Sequence, residues 1–238
     1  MSIQSYQIYR FLFKQRKNGP AMASFLIFVP VTILNMITLI IIAVTVVVSL
    51  AALSNERMLS ALMFNAYRTY NHRQYYRIFS YGLVHGSFSH LFFNMLTLYF
   101  FGTEAEEWFK AAWGNSAGSI LFVVLYVSAI AASSVADLIK HKNDPSYNAV
   151  GASGAVSAVL FASVLFDPMM GIYIYLIPIP IPGFVFAPLY LLYCWWMAKR
   201  NKDNIGHTAH FWGAVYGFVF PVICMPSLVS HFLSHFIK

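Results

Sequence analysis

Charged residues fall in clusters along this chain, and the stretches between the clusters are long. No Lys, Arg, Asp or Glu occurs in 22–53, 78–103, 111–136, 146–166 or 168–198, and after Asp203 none occurs until Lys238. A helix that spans a bilayer needs about 20 predominantly apolar residues, and each of these six runs supplies them. The chain is 59% hydrophobic and 10% charged, against about 25% charged in a soluble domain. The expected fold class is therefore an all-α polytopic membrane protein with six transmembrane helices. The formal charge of +7 does not point to nucleic acid, because the basic residues are scattered between apolar blocks as loop anchors. The lipid bilayer is the expected partner, and no nucleic acid is.

The six runs are unequal. The first, 22–53, is long enough to tilt or protrude. The fourth opens on a Gly-rich turn, 148-NAVGASGAVSAVLFASVLF-166, and is so short that its N-terminus is expected below the membrane surface. The fifth contains Pro178, Pro180, Pro182 and Pro188, so a helix is expected to begin near Gly183, after an extended I-P-I-P-I-P lead-in. Loop 54–77, rich in Tyr and Arg, reads as a small interfacial structure. The expected organisation is an N-terminal cytoplasmic segment over 1–21, a six-helix membrane domain over 22–225 and a tail over 226–238. Arg10, Lys14, Arg16 and Lys17 argue for a cytoplasmic N-terminus, but the loops that would then face outward hold more Lys and Arg than the other inward ones. Charge counting thus leaves orientation open. Cys194 and Cys224 lie in apolar runs and read as small buried hydrophobes.

Polar groups inside apolar helices are expensive and mark function. In the second run, 85-HGSFSHLFFNMLTLYFFG-102, His90 and Asn94 are four apart and share a helix face. In the sixth, 206-GHTAHFWGAVYGFVF-220, His210, Gly213 and Gly217 share another. In the fourth, Ser153 precedes the row Gly154, Ala158, Ala162. Small residues at this spacing let two helix backbones approach closely. Packing that row on Ala209, Gly213 and Gly217 would bring Ser153 beside His210, with the two helices parallel. A Ser within hydrogen-bond reach of a His is an activated nucleophile. The first turn of a helix also offers free N–H groups and a positive dipole end to a tetrahedral oxyanion.

Each feature alone has a blander reading. Gly-Ala-Ser-Gly is a common packing motif, a lone His210 is more readily a satisfied core histidine, and His90–Asn94 could be an interhelical clamp. Three such features on three helices, each with matching neighbours, are harder to assign to packing. There is no H-E-x-x-H and no intramembrane Gly-Asp pair, which argues against zinc and aspartyl intramembrane proteases. His85 and His90, with His207 and His210, could in principle bind metal, but no cysteine or carboxylate accompanies them at ligand spacing. No metal and no cofactor is expected. His231 and His235 at helical spacing read as part of an interfacial tail.

At these residues the chain resembles the rhomboid family of intramembrane serine proteases. The resemblance runs from about Tyr76 to Gly217. It comprises the six-helix layout, H-x4-H-x3-N at His85, His90 and Asn94, G-x-S-G at Gly151–Gly154, and A-H-x2-G-x3-G at Ala209–Gly217. Arg77 resembles the arginine of the family's first-loop Trp-Arg motif, and Gly102 with Glu106 its Gly-x3-Glu. The resemblance implies a rhomboid-like bundle whose short fourth helix starts inside the membrane. It implies Ser153 as nucleophile, His210 as general base, and an oxyanion hole of His90, Asn94 and the Ser153 N–H. Structural support would come from His85, Arg77, Glu106, Gly151, Gly154, Gly213 and Gly217. It also implies a cytoplasmic N-terminus, as in a bacterial inner membrane, and a site towards the outer face. Two positions depart from the family pattern: Ser157 stands where a Tyr often supports the histidine, and Tyr76 stands where Trp is usual. The implied activity is endoproteolysis of single-pass transmembrane substrates. The proline-rich start of the fifth helix makes entry past that helix a candidate route, which the sequence does not establish. The rival readings are a non-catalytic adaptor or chaperone that binds transmembrane helices, and, third, a transporter.

Overall fold

The computed structural model describes residues 37–174, 179–200, 203 and 205–237. The expected segment 1–21 and the first part of the first run lie outside them. The chain is mostly helical: α1 (Ile37–Leu53), α2 (Glu56–Leu62), α3 (Ala66–Asn71), α4 (Arg77–Ser80), α5 (Phe88–Trp113), α6 (Asn115–His141), α7 (Ser153–Phe166), α8 (Gly183–Arg200), α9 (His207–Cys224) and α10 (Ser227–Leu233). Among the described residues, four two-residue strands form two antiparallel pairs, β1 (Phe64–Asn65) with β2 (Asn148–Ala149) and β3 (Gly171–Ile172) with β4 (Ile181–Pro182).

Helix α7 is the axis of the fold. Every residue from Gly154 to Phe166 is buried, enclosed by α5, α6, α8 and α9. The surrounding helices turn large apolar side chains outward. Phe88, Phe92, Tyr99 and Phe100 on α5, Ile120, Val127 and Ile139 on α6, and Leu189, Leu192 and Trp196 on α8 are all exposed. Water would not tolerate so much contiguous apolar surface, whereas hydrocarbon accepts it. At the C-terminal end of α8, Lys199 lies over the Trp195 ring at 3.7 Å and Arg200 over Trp196 at 3.8 Å. Aromatic and basic pairs of this kind mark a membrane–water boundary.

The helices do not coincide with the charge-free runs. The second run, 78–103, was read as one transmembrane segment. Instead the chain makes α4 and a 3-10 turn, Tyr81–Leu83, and α5 starts only at Phe88, where the Ser87 hydroxyl caps the His90 N–H at 3.1 Å. Helix α5 then runs through the charged cluster Glu104, Glu106, Glu107 and Lys110 to Trp113. Among the described residues, one helix, Asn115–His141, is long and apolar enough by itself to cross a membrane. The pair α9 and α10, bent by 117°, passes as a second. Six spans are thus not established by length and composition, because the C-terminal part of α5 is charged and α1 and α7 have only 17 and 14 residues.

Buried charge explains one expected support. Glu106 accepts from the N–H of Ile37 (3.0 Å), from the N–H and hydroxyl of Thr38 (2.9 and 2.8 Å), and pairs with Lys110 at 2.8 Å. One turn earlier on α5, a Cβ on Gly102 would lie 2.7 Å from Thr38 Cγ2. Gly102 and Glu106 together therefore fix the start of α1 against α5. The tail is also part of the body: Leu228 is buried, and a His231 ring nitrogen lies 2.8 Å from the Phe166 carbonyl at the end of α7. Part of the expected proline lead-in, 177–178, lies outside the described residues; its last two residues, Ile181–Pro182, pair as a strand with Gly171–Ile172.

Candidate active site at the start of α7

Helices α7 and α9 touch along their backbones. A Cβ on Gly213 would collide with the carbonyl of Gly154, and one on Gly217 with that of Ala158. A Cβ on Gly154 would sit 3.2 Å from the carbonyl of Ala209. The register rises together, 154 with 213 and 158 with 217, so the helices are parallel and their N-terminal ends meet. Ser153 is the first residue of α7, and His210 lies in the first turn of α9. No hydrogen bond joins the two side chains.

The turn before Ser153 faces α5. Gly151 has φ +110°, a conformation that strains any residue with a Cβ. A Cβ there would lie 2.6 Å from His90 Cε1 and 3.7 Å from the Asn94 amide nitrogen. His90 and Asn94 thus stand directly behind the turn that delivers Ser153 and its free first-turn N–H groups. The His85 ring meets that of His90 edge-on, centroids 4.9 Å apart. Ser49 donates to the Leu83 carbonyl at 2.8 Å and so accepts from His85 Nδ1–H, also at 2.8 Å. His85 is buried and holds His90 in place from behind.

The turn is fixed from outside as well. The Gly151 N–H donates to the Tyr81 carbonyl at 3.0 Å. The Tyr81 hydroxyl donates to the Ile130 carbonyl at 2.8 Å. Asn65 donates to the carbonyls of Pro145 and Tyr147 and to the Asn148 side chain, at 2.9, 3.2 and 3.0 Å. Arg77, buried, donates to Ser60 and Met63 carbonyls (2.9 and 2.6 Å) and to Gln74 (2.7 Å). Arg77 therefore locks the α2–β1 segment, β1 pairs with β2, and β2 leads into Gly151. Asn65 and Tyr81 were not singled out in the sequence. An Asn beginning a short helix looks like an ordinary cap, and it caps α3 as well, accepting from Arg68 N–H.

Ser157 finds its partner across the bundle. Its hydroxyl lies 2.8 Å from that of Tyr190 on α8, and the Tyr190 ring packs on Phe161 and Phe186. The ring against His210 is that of His207, edge-on at 5.9 Å. His207 in turn lies 3.2 Å from the Asp203 carboxylate, whose pKa this contact lowers. Cys194 is buried, as its reading as a small core residue expects, and the fold also sets it beside His207 and His210, a neighbourhood that spacing in the sequence does not show. The proline-rich start of α8 lies at the far end of α7 from Ser153, since the Phe184 N–H binds the Pro168 carbonyl at 2.9 Å.

Comparison with known proteins agrees with this architecture. Residues 72–227 match the family model of the rhomboid domain. The chain belongs to the rhomboid family, whose members are membrane proteins. It is 28% identical over 137 residues to the "RHOMBOID-like protein 12, mitochondrial" of Arabidopsis thaliana. That match covers 55% of this chain and 40% of the relative's length.

Proposed function

We propose that this protein is an intramembrane serine endopeptidase that cleaves single-pass transmembrane proteins near the outer membrane face. Ser153 Oγ attacks the scissile carbonyl. His210 takes the proton and returns it to the leaving amine. His90, Asn94 and the Ser153 N–H hold the oxyanion, whose charge the N-terminal end of α7 also favours. The observation that carries this reading is the parallel backbone contact of α7 with α9, which sets Ser153 and His210 at adjoining helix starts while Gly151 backs onto His90 and Asn94.

Six spans follow in this reading, with α1, α5, α6, α7, α8 and α9 crossing or entering the bilayer. Helix α7, 14 residues long, extends about 21 Å, less than the roughly 30 Å hydrocarbon core. Ser153 would then lie below the surface, in a cavity that admits water. The basic residues Arg10 to Lys17 favour a cytoplasmic N-terminus, in a bacterial inner membrane. Covalent labelling of the detergent-purified protein by a fluorophosphonate tests the reading. Label is expected on the natural chain and absent from Ser153→Ala. If neither chain is labelled and neither cleaves a transmembrane substrate, the site binds helices without cutting them.

A further inference from the structure

Outside the proposed dyad, the chain brings three metal-ligating side chains together from two helices. Cys194 on α8 and His207 and His210 on α9 each offer a ligand atom, and the three atoms lie within 4.8 Å of one another. Two observations distinguish this cluster from chance packing. His207 is 4% exposed, and its Nδ1 is buried without a hydrogen-bond partner. Its other nitrogen is held by Asp203 at 3.2 Å. A carboxylate on the far nitrogen of an imidazole is the usual second partner of a metal-bound histidine, because it fixes the tautomer and raises ligand basicity. Cys194 is fully buried, while His210 is only half-buried, so the cluster opens on the His210 side.

We propose that Cys194, His207 and His210 form a site for a zinc-class divalent cation, and that filling it switches the protease off. One thiolate with two imidazoles suits zinc and is a poor set for calcium or magnesium. Bond lengths of about 2.3 Å to sulfur and 2.0–2.1 Å to nitrogen place tetrahedral ligands roughly 3.3–3.6 Å apart, so the three side chains close by about an ångström. A water completes the fourth position. Binding converts the Cys194 thiol to a bound thiolate and releases its proton to solvent. The inhibitory half rests on the serine-protease reading. A neutral imidazole has one lone pair; with that pair on a metal, the other nitrogen carries the proton, and His210 has nothing with which to accept the proton of Ser153. The same bonds tie α8 to α9 beside the site.

The test uses the whole detergent-purified protein, stripped with a chelator and titrated with Co(II). The expected result is a near-ultraviolet thiolate-to-cobalt band with tetrahedral visible bands, displaced by Zn(II). The band is lost in Cys194→Ser and weakened in His207→Asn, and retained in Cys224→Ser. Cleavage with and without Zn(II) is compared within each chain: a fall of tenfold or more in the natural protein, shrinking towards none in Cys194→Ser. No thiolate band in the natural chain, or a band that survives Cys194→Ser, overturns the site. A band without fluorophosphonate labelling of Ser153 keeps the metal site and removes the protease reading. Labelling without a band does the reverse.

Discussion

Helices α7 and α8 adjoin in sequence and pack side by side, yet they are built on opposite plans. From Gly154 to Phe166 every residue of α7 is buried, and small residues lie where other backbones press against it. On α8, by contrast, Gly183 and Cys194 are the buried residues, and Leu189, Leu192, Tyr193, Trp195 and Trp196 face outward. Where no water drives helices together, close backbone approach does the work that hydrophobic burial does elsewhere. The difference separates two jobs. Ser153 rides on the helix that is gripped from all sides, and the bulky helix turns its large side chains outward to the lipid.

The strongest way to break this comparison is on the gripped side. Asn94→Ala removes one proposed oxyanion donor while keeping the nucleophile. A loss of about 10²–10³ in kcat is expected, with substrate affinity and melting temperature close to those of the natural chain. A large drop in melting temperature with kcat nearly unchanged would make Asn94 a clamp instead. Gly217→Leu comes next. Its Cβ meets the Ala158 backbone, which cannot swing aside, so a stability loss at the upper end of about 1–3 kcal/mol is expected. Activity should fall with it as Ser153 and His210 separate; an active, stable variant would show that the α7–α9 contact is not tight.

Tyr190→Phe tests the seam between the two helices. It deletes the partner of Ser157, which should cost about 1 kcal/mol in thermal unfolding, and Tyr190→Phe with Ser157→Ala should cost less than the two changes summed. Full additivity would mean that the hydroxyls do not depend on one another. At the bottom of the scale, Leu192→Ala on the outer face of α8, where Leu192 is 61% exposed, should shift stability by no more than about 0.5 kcal/mol. A larger loss would place α8 among the gripped helices.

Much of the gripped side was legible in the sequence. Gly154, Ala158, Gly213 and Gly217 announce a close contact by spacing alone, and the Gly-rich turn marks the start of α7. Charge-free runs did not give the ends of α5, because the Ser87 cap and Gly114, at φ +84°, set them. The rest of what was not legible depends on neighbours remote in the chain. Nothing local in Tyr190 says that it will reach Ser157, or in Cys194 that it will stand beside His207 and His210. The roles of Asn65 and Tyr81 are likewise set by a strand pair and a carbonyl that sequence patterns do not show.

The Glu106 anchor also sets an order in time. The first-turn N–H groups of α1 at Ile37 and Thr38 find their acceptor 69 and 68 residues later. At roughly 5–20 residues per second, a ribosome makes α1 several seconds before it makes the carboxylate that α1 needs. Until then these two N–H groups lack the carboxylate that holds them in the finished fold, so the docking of α1 against α5 completes only after α5 has been made.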